Sequence, residues 1–132
     1  MDIEQTAITI RDAIRDLPKQ FEGNAEKIAQ LEKEQTDFLH LIELTDLNAY
    51  EGFKAYKEIQ RVQRERRILK DENEQLKHLY PALQGLKGQL NRFDKSVKEI
   101  RKTKEYFTKR TYRCRARTDL ENIINGVKQH ET

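Results

Sequence analysis

Tryptophan is absent from this 132-residue chain, and it has only five glycines, two prolines and one cysteine. Each scarcity rules something out. The lone thiol, Cys114, cannot close an internal disulfide, which removes a cross-linked secreted scaffold from consideration. So few breakers leave little room for turns and favour long helices or coiled coils. No run approaches the roughly 18 consecutive apolar residues that a membrane span needs. The start, Met1-Asp2-Ile3-Glu4, carries acids where a secretory signal would be basic, and no apolar run follows. The expected location is the cytoplasm, with no membrane association.

What is present in quantity is charge. Charged residues make up 37% of the chain and hydrophobic ones 36%, enough to fold if the latter lie on one face of each helix. A compact sphere would need more, so the composition predicts an elongated helical bundle held by thin apolar seams. Net charge is only +3, but it is unevenly spread. Residues 1–50 hold 5 basic and 11 acidic side chains, whereas residues 85–118 hold 12 and 3.

Apolar spacing divides the chain into five predicted helices within a single domain spanning 1–132. Ile3, Ala7, Ile10, Ile14 and Leu17 form one stripe over about 2–17, and Pro18 is expected to end it. Gly23-Asn24 reads as the following turn, with a second helix over 25–44. Thr45-Asp46-Leu47-Asn48 is rich in capping residues and reads as a weak break. The third helix, 47–79, carries Ala55, Ile59, Val62, Arg66, Leu69, Asn73, Leu76 and Tyr80 in steps of four and three. Beyond Pro81 a fourth, 82–109, carries Leu83, Leu86, Leu90, Phe93, Val97, Ile100 and Phe107. The last, 119–129, opens on Thr118-Asp119-Leu120-Glu121, the pattern of a capping box, and its apolar face holds Leu120, Ile123, Ile124 and Val127.

Leu69, Leu76, Leu83 and Leu90 are seven apart, with Val62 and Val97 at the same interval. This resembles the zipper of bZIP proteins, which implies a parallel dimer. The basic helix that should precede such a zipper, with its base-reading asparagine, is missing, and that function is not carried over. Pro81 also interrupts the run, and Lys87 stands where the companion series expects an apolar residue. A long antiparallel hairpin bending at Pro81 accommodates both facts, setting Leu76 opposite Leu86 and Val62 opposite Ile100. Arms of about 27 residues would make it roughly 40 Å long. Arg66 and Asn73 interrupt the seam with polar groups, and such positions fix register at a cost in stability.

The residues offer little for catalysis. His40, His78 and His130 lack metal-ligand spacing with one another or with Cys114, so no metal or cofactor is expected. Cys114 lies among arginines but has no neighbouring base, and it continues an apolar spacing. Asp12 with Asp16, and Asp71 with Glu74, read as solvated pairs. Gly85-Leu86-Lys87-Gly88 has only the outline of a backbone clamp, and its small residues are expected to let another helix approach.

The basic segment holds the functional promise. Lys102, Lys104, Tyr106, Lys109, Arg110, Tyr112, Arg113, Arg115 and Arg117 concentrate cations beside two tyrosines. Arginine grips phosphate bidentately and tyrosine stacks on unpaired bases. The competing reading is that these cations pair with the protein's own acidic first fifty residues or with an acidic protein surface. The expected function is accordingly that of a non-enzymatic helical interaction protein, an adaptor, assembly factor or inhibitor binding another protein. The alternative is a nucleic-acid-binding accessory protein that contacts phosphates through 102–117. Homo-oligomerisation is compatible with the heptads.

Overall fold

The computed structural model describes residues 1–130 and the side chains up to Gly126. Among these residues every regular element is helical: α1 (Ile3–Leu44), α2 (Ala49–Leu86), α3 (Leu90–Lys109) and α4 (Glu121–His130). Short 3₁₀ turns at Lys87–Gln89 and Thr118–Leu120 precede α3 and α4. The all-α fold expected from the sequence is found, and it contains an antiparallel helical hairpin, formed by α1 and α2. No described helix is long and apolar enough to cross a membrane. The chain divides into two compact units, residues 11–90 and residues 1–10 with the segment from Asn91 onward.

In the 11–90 unit, α1 and α2 run antiparallel. Cross-helix bonds give the direction: Glu32 meets Arg66, Asn24 meets Glu72 and Asn73, and Glu22 meets Tyr80. The connection is residues 45–48. Asn48 caps α2 by accepting from the Glu51 amide at 2.8 Å, while the Glu51 carboxylate reaches back to the Asn48 amide. This reciprocal capping satisfies two donors that a helix start leaves open.

The seam follows heptad spacing on both arms. From α1 come Ile14, Pro18, Phe21, Asn24, Ile28, Leu31 and Phe38, and from α2 the full stripe Ala55 to Tyr80, all buried or half-buried. Val62 is wholly enclosed. Asn24 and Asn73 form a polar layer: the Asn24 amide donates to Glu72 at 2.9 Å and to Asn73 at 3.0 Å, and Asn73 donates to the Phe21 carbonyl at 3.1 Å. Gln20 also donates to Glu72. The Phe21 and Tyr80 rings stack alongside, 4.5 Å between centroids.

Four expectations need correction. The hairpin bends at 45–48, not at Pro81: α2 continues through Pro81 to Leu86, so Leu76 and Leu86 lie on one helix and cannot face each other. Pro81 is exposed, so the carbonyl that its missing N–H leaves unbonded can be hydrated, and the ring is tolerated. Likewise α1 does not stop at Pro18 or turn at Gly23-Asn24, since it is unbroken from Ile3 to Leu44. The Pro18 ring is buried in the seam, where packing offsets the lost backbone bond, and Asn24 is a buried seam residue. The capping box expected at Thr118 is not made, because Thr118 is the first residue of a 3₁₀ turn whose cap, Arg117, makes no side-chain capping bond. Finally, no glycine admits a close neighbour: a Cβ at Gly85 or Gly88 would meet open space.

In the other unit, the first turns of α1 contact α3. Asp2 caps α1 by accepting from the Gln5 amide. Val97 is the buried centre of α3, with Phe93 and Ile100 half-buried on the same face. Residues 110–117 leave helical geometry, and α4 follows the 3₁₀ turn. The side chains of Val127, assigned above to an apolar face, and of His130 lie outside the described residues.

Candidate functional site

The basic segment spans a change of conformation. Lys102, Lys104, Tyr106 and Lys109 occupy the last turns of α3, whereas Arg110, Tyr112, Arg113, Arg115 and Arg117 lie in the irregular stretch after it. The Arg110 amide still bonds to the Tyr106 carbonyl at 2.8 Å, closing the final helical turn. From there one side chain fixes the path. The Asn125 amide on α4 donates to the Tyr112 carbonyl at 3.2 Å and accepts from the Tyr112 N–H at 2.7 Å. Both backbone groups of Tyr112 are thereby satisfied, and the residue stays 51% exposed. Cys114 is half-buried between exposed Arg113 and Arg115.

Some of the candidate cations are neutralised within the unit. Glu4 receives Arg101 and Lys104, each at 2.8 Å. The Lys104 hydrogen bond, then that of Arg101, holds the Glu4 carboxyl below its usual range, and Glu4 raises Lys104 in return. Arg117 grips Asp119 with two nitrogens at 3.0 and 2.8 Å, which lowers the Asp119 carboxyl and raises the guanidinium. Lys102 lies 3.7 Å from Glu99. The remaining four differ. Among the described residues Lys109, Arg113 and Arg115 have no acidic partner, and Arg110 meets only the Phe107 ring, 4.5 Å from its centroid. The structure thus separates the seven candidate cations into three neutralised and four open, which spacing alone could not do.

The two seam candidates lie in the other unit. Arg66 donates to Glu32 at 3.0 Å with Lys70 nearby at 3.5 Å, and Glu32 is held below its usual range chiefly by the Arg66 bond. Asn73 belongs to the polar layer already described. No three His, Cys, Asp or Glu side chains among the described residues converge as metal ligands would.

A third feature escaped sequence reasoning. Near the 45–48 bend, Leu39, Leu41, Ile42 and Leu44 on α1 and Tyr50, Phe53 and Tyr56 on α2 are all exposed. Leu44 reaches 77% and Tyr50 66%. At 100° per residue, Phe38 and the four aliphatic positions spread over more than half the circumference of α1. A seam with one partner needs a stripe of only about 100°. On α2, Tyr50 and Phe53 point away from buried Ala55, hence away from α1, and Tyr56 lies to the flank. Lys54 and Lys57 lie over the Tyr50 and Phe53 rings, at 4.7 and 5.5 Å, but leave them more than half exposed. The signal was present in the run Phe38-Leu39-His40-Leu41-Ile42-Glu43-Leu44, which is too apolar for one face. No protein-family model, curated protein or solved structure matches this chain.

Proposed function

We propose that the chain is a non-enzymatic helical interaction protein whose hairpin tip docks onto another protein. The apolar tip supports this reading. With aromatic side chains presenting about 200 Å² each and aliphatic ones somewhat less, the exposed fractions leave roughly 700 Å² of apolar surface. The largest apolar patch on an ordinary monomer is about 300–600 Å², and a standard interface takes about 800 Å² from each partner. Summed over the two helices, this exposed apolar area is comparable with what one partner contributes to an interface.

Charge narrows the partner. Around the tip, Asp37, Glu43, Asp46, Glu51 and Glu58 outnumber Lys54 and Lys57. Two copies would bring like charge together, so the fitting partner is a different protein with an apolar centre and a basic rim. The seam that holds the hairpin lies apart from these side chains, so the tip can be engaged without unfolding it.

The test uses the full chain and a Leu44→Ser/Phe53→Ser variant, both positions being exposed. Crosslinking from the tip identifies a partner, which is then purified and titrated by calorimetry. Binding by the parent with a negative heat-capacity change, lost at least tenfold in the variant, supports the reading. Equal binding by the variant refutes it. A stable dimer of the pure parent, abolished in the variant, would show instead that the tip serves self-association.

A further inference from the structure

We infer that residues 109–115 form a second, separate binding site, for single-stranded nucleic acid. This rests on the open cations and does not depend on the hairpin tip.

Three observations converge. First, three acids of the unit already hold other cations: Glu4 holds Arg101 and Lys104, Asp119 holds Arg117, and Glu99 holds Lys102. Lys109, Arg110, Arg113 and Arg115 keep their charge uncompensated by any described carboxylate. Four such cations within seven residues repel one another, and a polyanion relieves that repulsion by displacing small ions from its own backbone. An arginine already gripped by a carboxylate, as Arg117 is, would have to give up that bond first.

Second, the irregular segment that carries these cations is tethered. Asn125 engages both backbone groups of Tyr112, so the segment does not have to be ordered anew when a ligand arrives. Pre-ordering lowers the entropic cost of binding. Third, the tethered residue is an exposed aromatic among free guanidinium groups. Ring stacking is sequence-tolerant because every base has a π face, and it requires a base that is not paired. Arg113 and Arg115 stand on irregular backbone, so no helix carries them as a set into a major groove. Geometry and chemistry favour a single strand over a duplex.

The experiment is fluorescence anisotropy on the full chain at low salt, with labelled pyrimidine 20-mers of DNA and of RNA and a duplex of equal length. Single strands should bind more tightly than the duplex. Their affinity should fall with salt at a log–log slope of about −2 to −3, for three to four phosphates. An Arg110→Gln/Arg113→Gln/Arg115→Gln variant should weaken binding at least tenfold. Lys102→Gln/Arg117→Gln, at already paired positions, should change it less than twofold. Tyr112→Ala should weaken single strands about five-fold or more and leave inorganic polyphosphate binding unaltered. Circular dichroism checks that each variant keeps its helices. Failure of all three nucleic acids to bind overturns the inference, as does duplex binding equal to single-strand binding. Equal losses from Arg117→Gln and Arg113→Gln would do the same, since the effect would then be bulk charge.

Discussion

Replacing Pro81 by alanine tests the helical path directly. The residue sits inside α2 on an exposed face, and its ring blocks the amide that would otherwise bond to the Lys77 carbonyl, four residues back. An alanine there restores the donor and removes the clash without meeting the seam. A recovered backbone bond is worth about 0.5–1.5 kcal/mol net. The full difference between proline and alanine inside a helix is about 3 kcal/mol. Part of that cost is already relieved because the free carbonyl faces water, so the expected gain is about 1–3 kcal/mol. Urea unfolding followed by far-UV circular dichroism should show the midpoint rising with the slope unchanged. Pro18→Ala is the internal comparison. It restores the same kind of bond but empties a buried ring from the seam, so its gain should be smaller. Were the chain to turn at Pro81, alanine would weaken a pre-set bend instead. Equal or lower stability of Pro81→Ala would refute the continuous helix.

Gly23→Ala should stabilise the protein by about 1 kcal/mol, since position 23 is helical and exposed and a Cβ there meets open space. A loss on thermal unfolding would mean that the backbone there is not helical. Arg66→Leu should be neutral or stabilising, because Glu32 is itself 47% exposed and keeps Lys70 as a neighbour. A severe loss in urea would show that Glu32 cannot be resolvated. Acid should weaken the hairpin. Glu72 is held below the ordinary value of 4.5 first by Asn24, and Glu32 first by Arg66, so the unfolded chain binds more protons at low pH. That stabilisation is complete above 4.5 and is lost as pH falls through the lowered folded values. Glu32→Gln/Glu72→Gln should flatten this acid limb, and a limb of unchanged steepness would contradict the assignment.

How much of this was legible in the sequence depends on what a repeat encodes. The stripe from Ala55 to Tyr80 was read residue for residue, because steps of four and three fix which face of a helix is buried. The same steps say nothing of what lies opposite. The stripe pairs with α1, whose own seam was hidden by Pro18 in a buried position and by Asn24 in a polar layer. Both residues are breakers by local preference, and tertiary packing overrode that preference. The true bend was marked by Asn48 and Glu51, a capping pair three residues apart, but it was outweighed by the more conspicuous Pro81. Within the basic segment, composition located the cations. Their division into paired and open depended on ion pairs such as Glu4 with Lys104, about a hundred residues apart in sequence and invisible to local patterning.

The two proposed surfaces obey different physics, and this makes them separable in one protein. The tip is an apolar patch with an acidic surround, so its complex loses little when salt screens the rim, and its signature is a heat-capacity change. The open cations of 109–115 bind by releasing counterions, so the number of phosphates they engage sets how steeply affinity falls as salt rises. A complex that survives salt but fails with Leu44→Ser/Phe53→Ser is held by the tip. One that dissolves in salt and fails with the arginine triple variant is held by residues 109–115. Because the two sets of side chains lie in different compact units, the two effects should add when the variants are combined. Strong coupling between them would mean that a single partner spans both surfaces, and the two binding activities would then have to be treated as one.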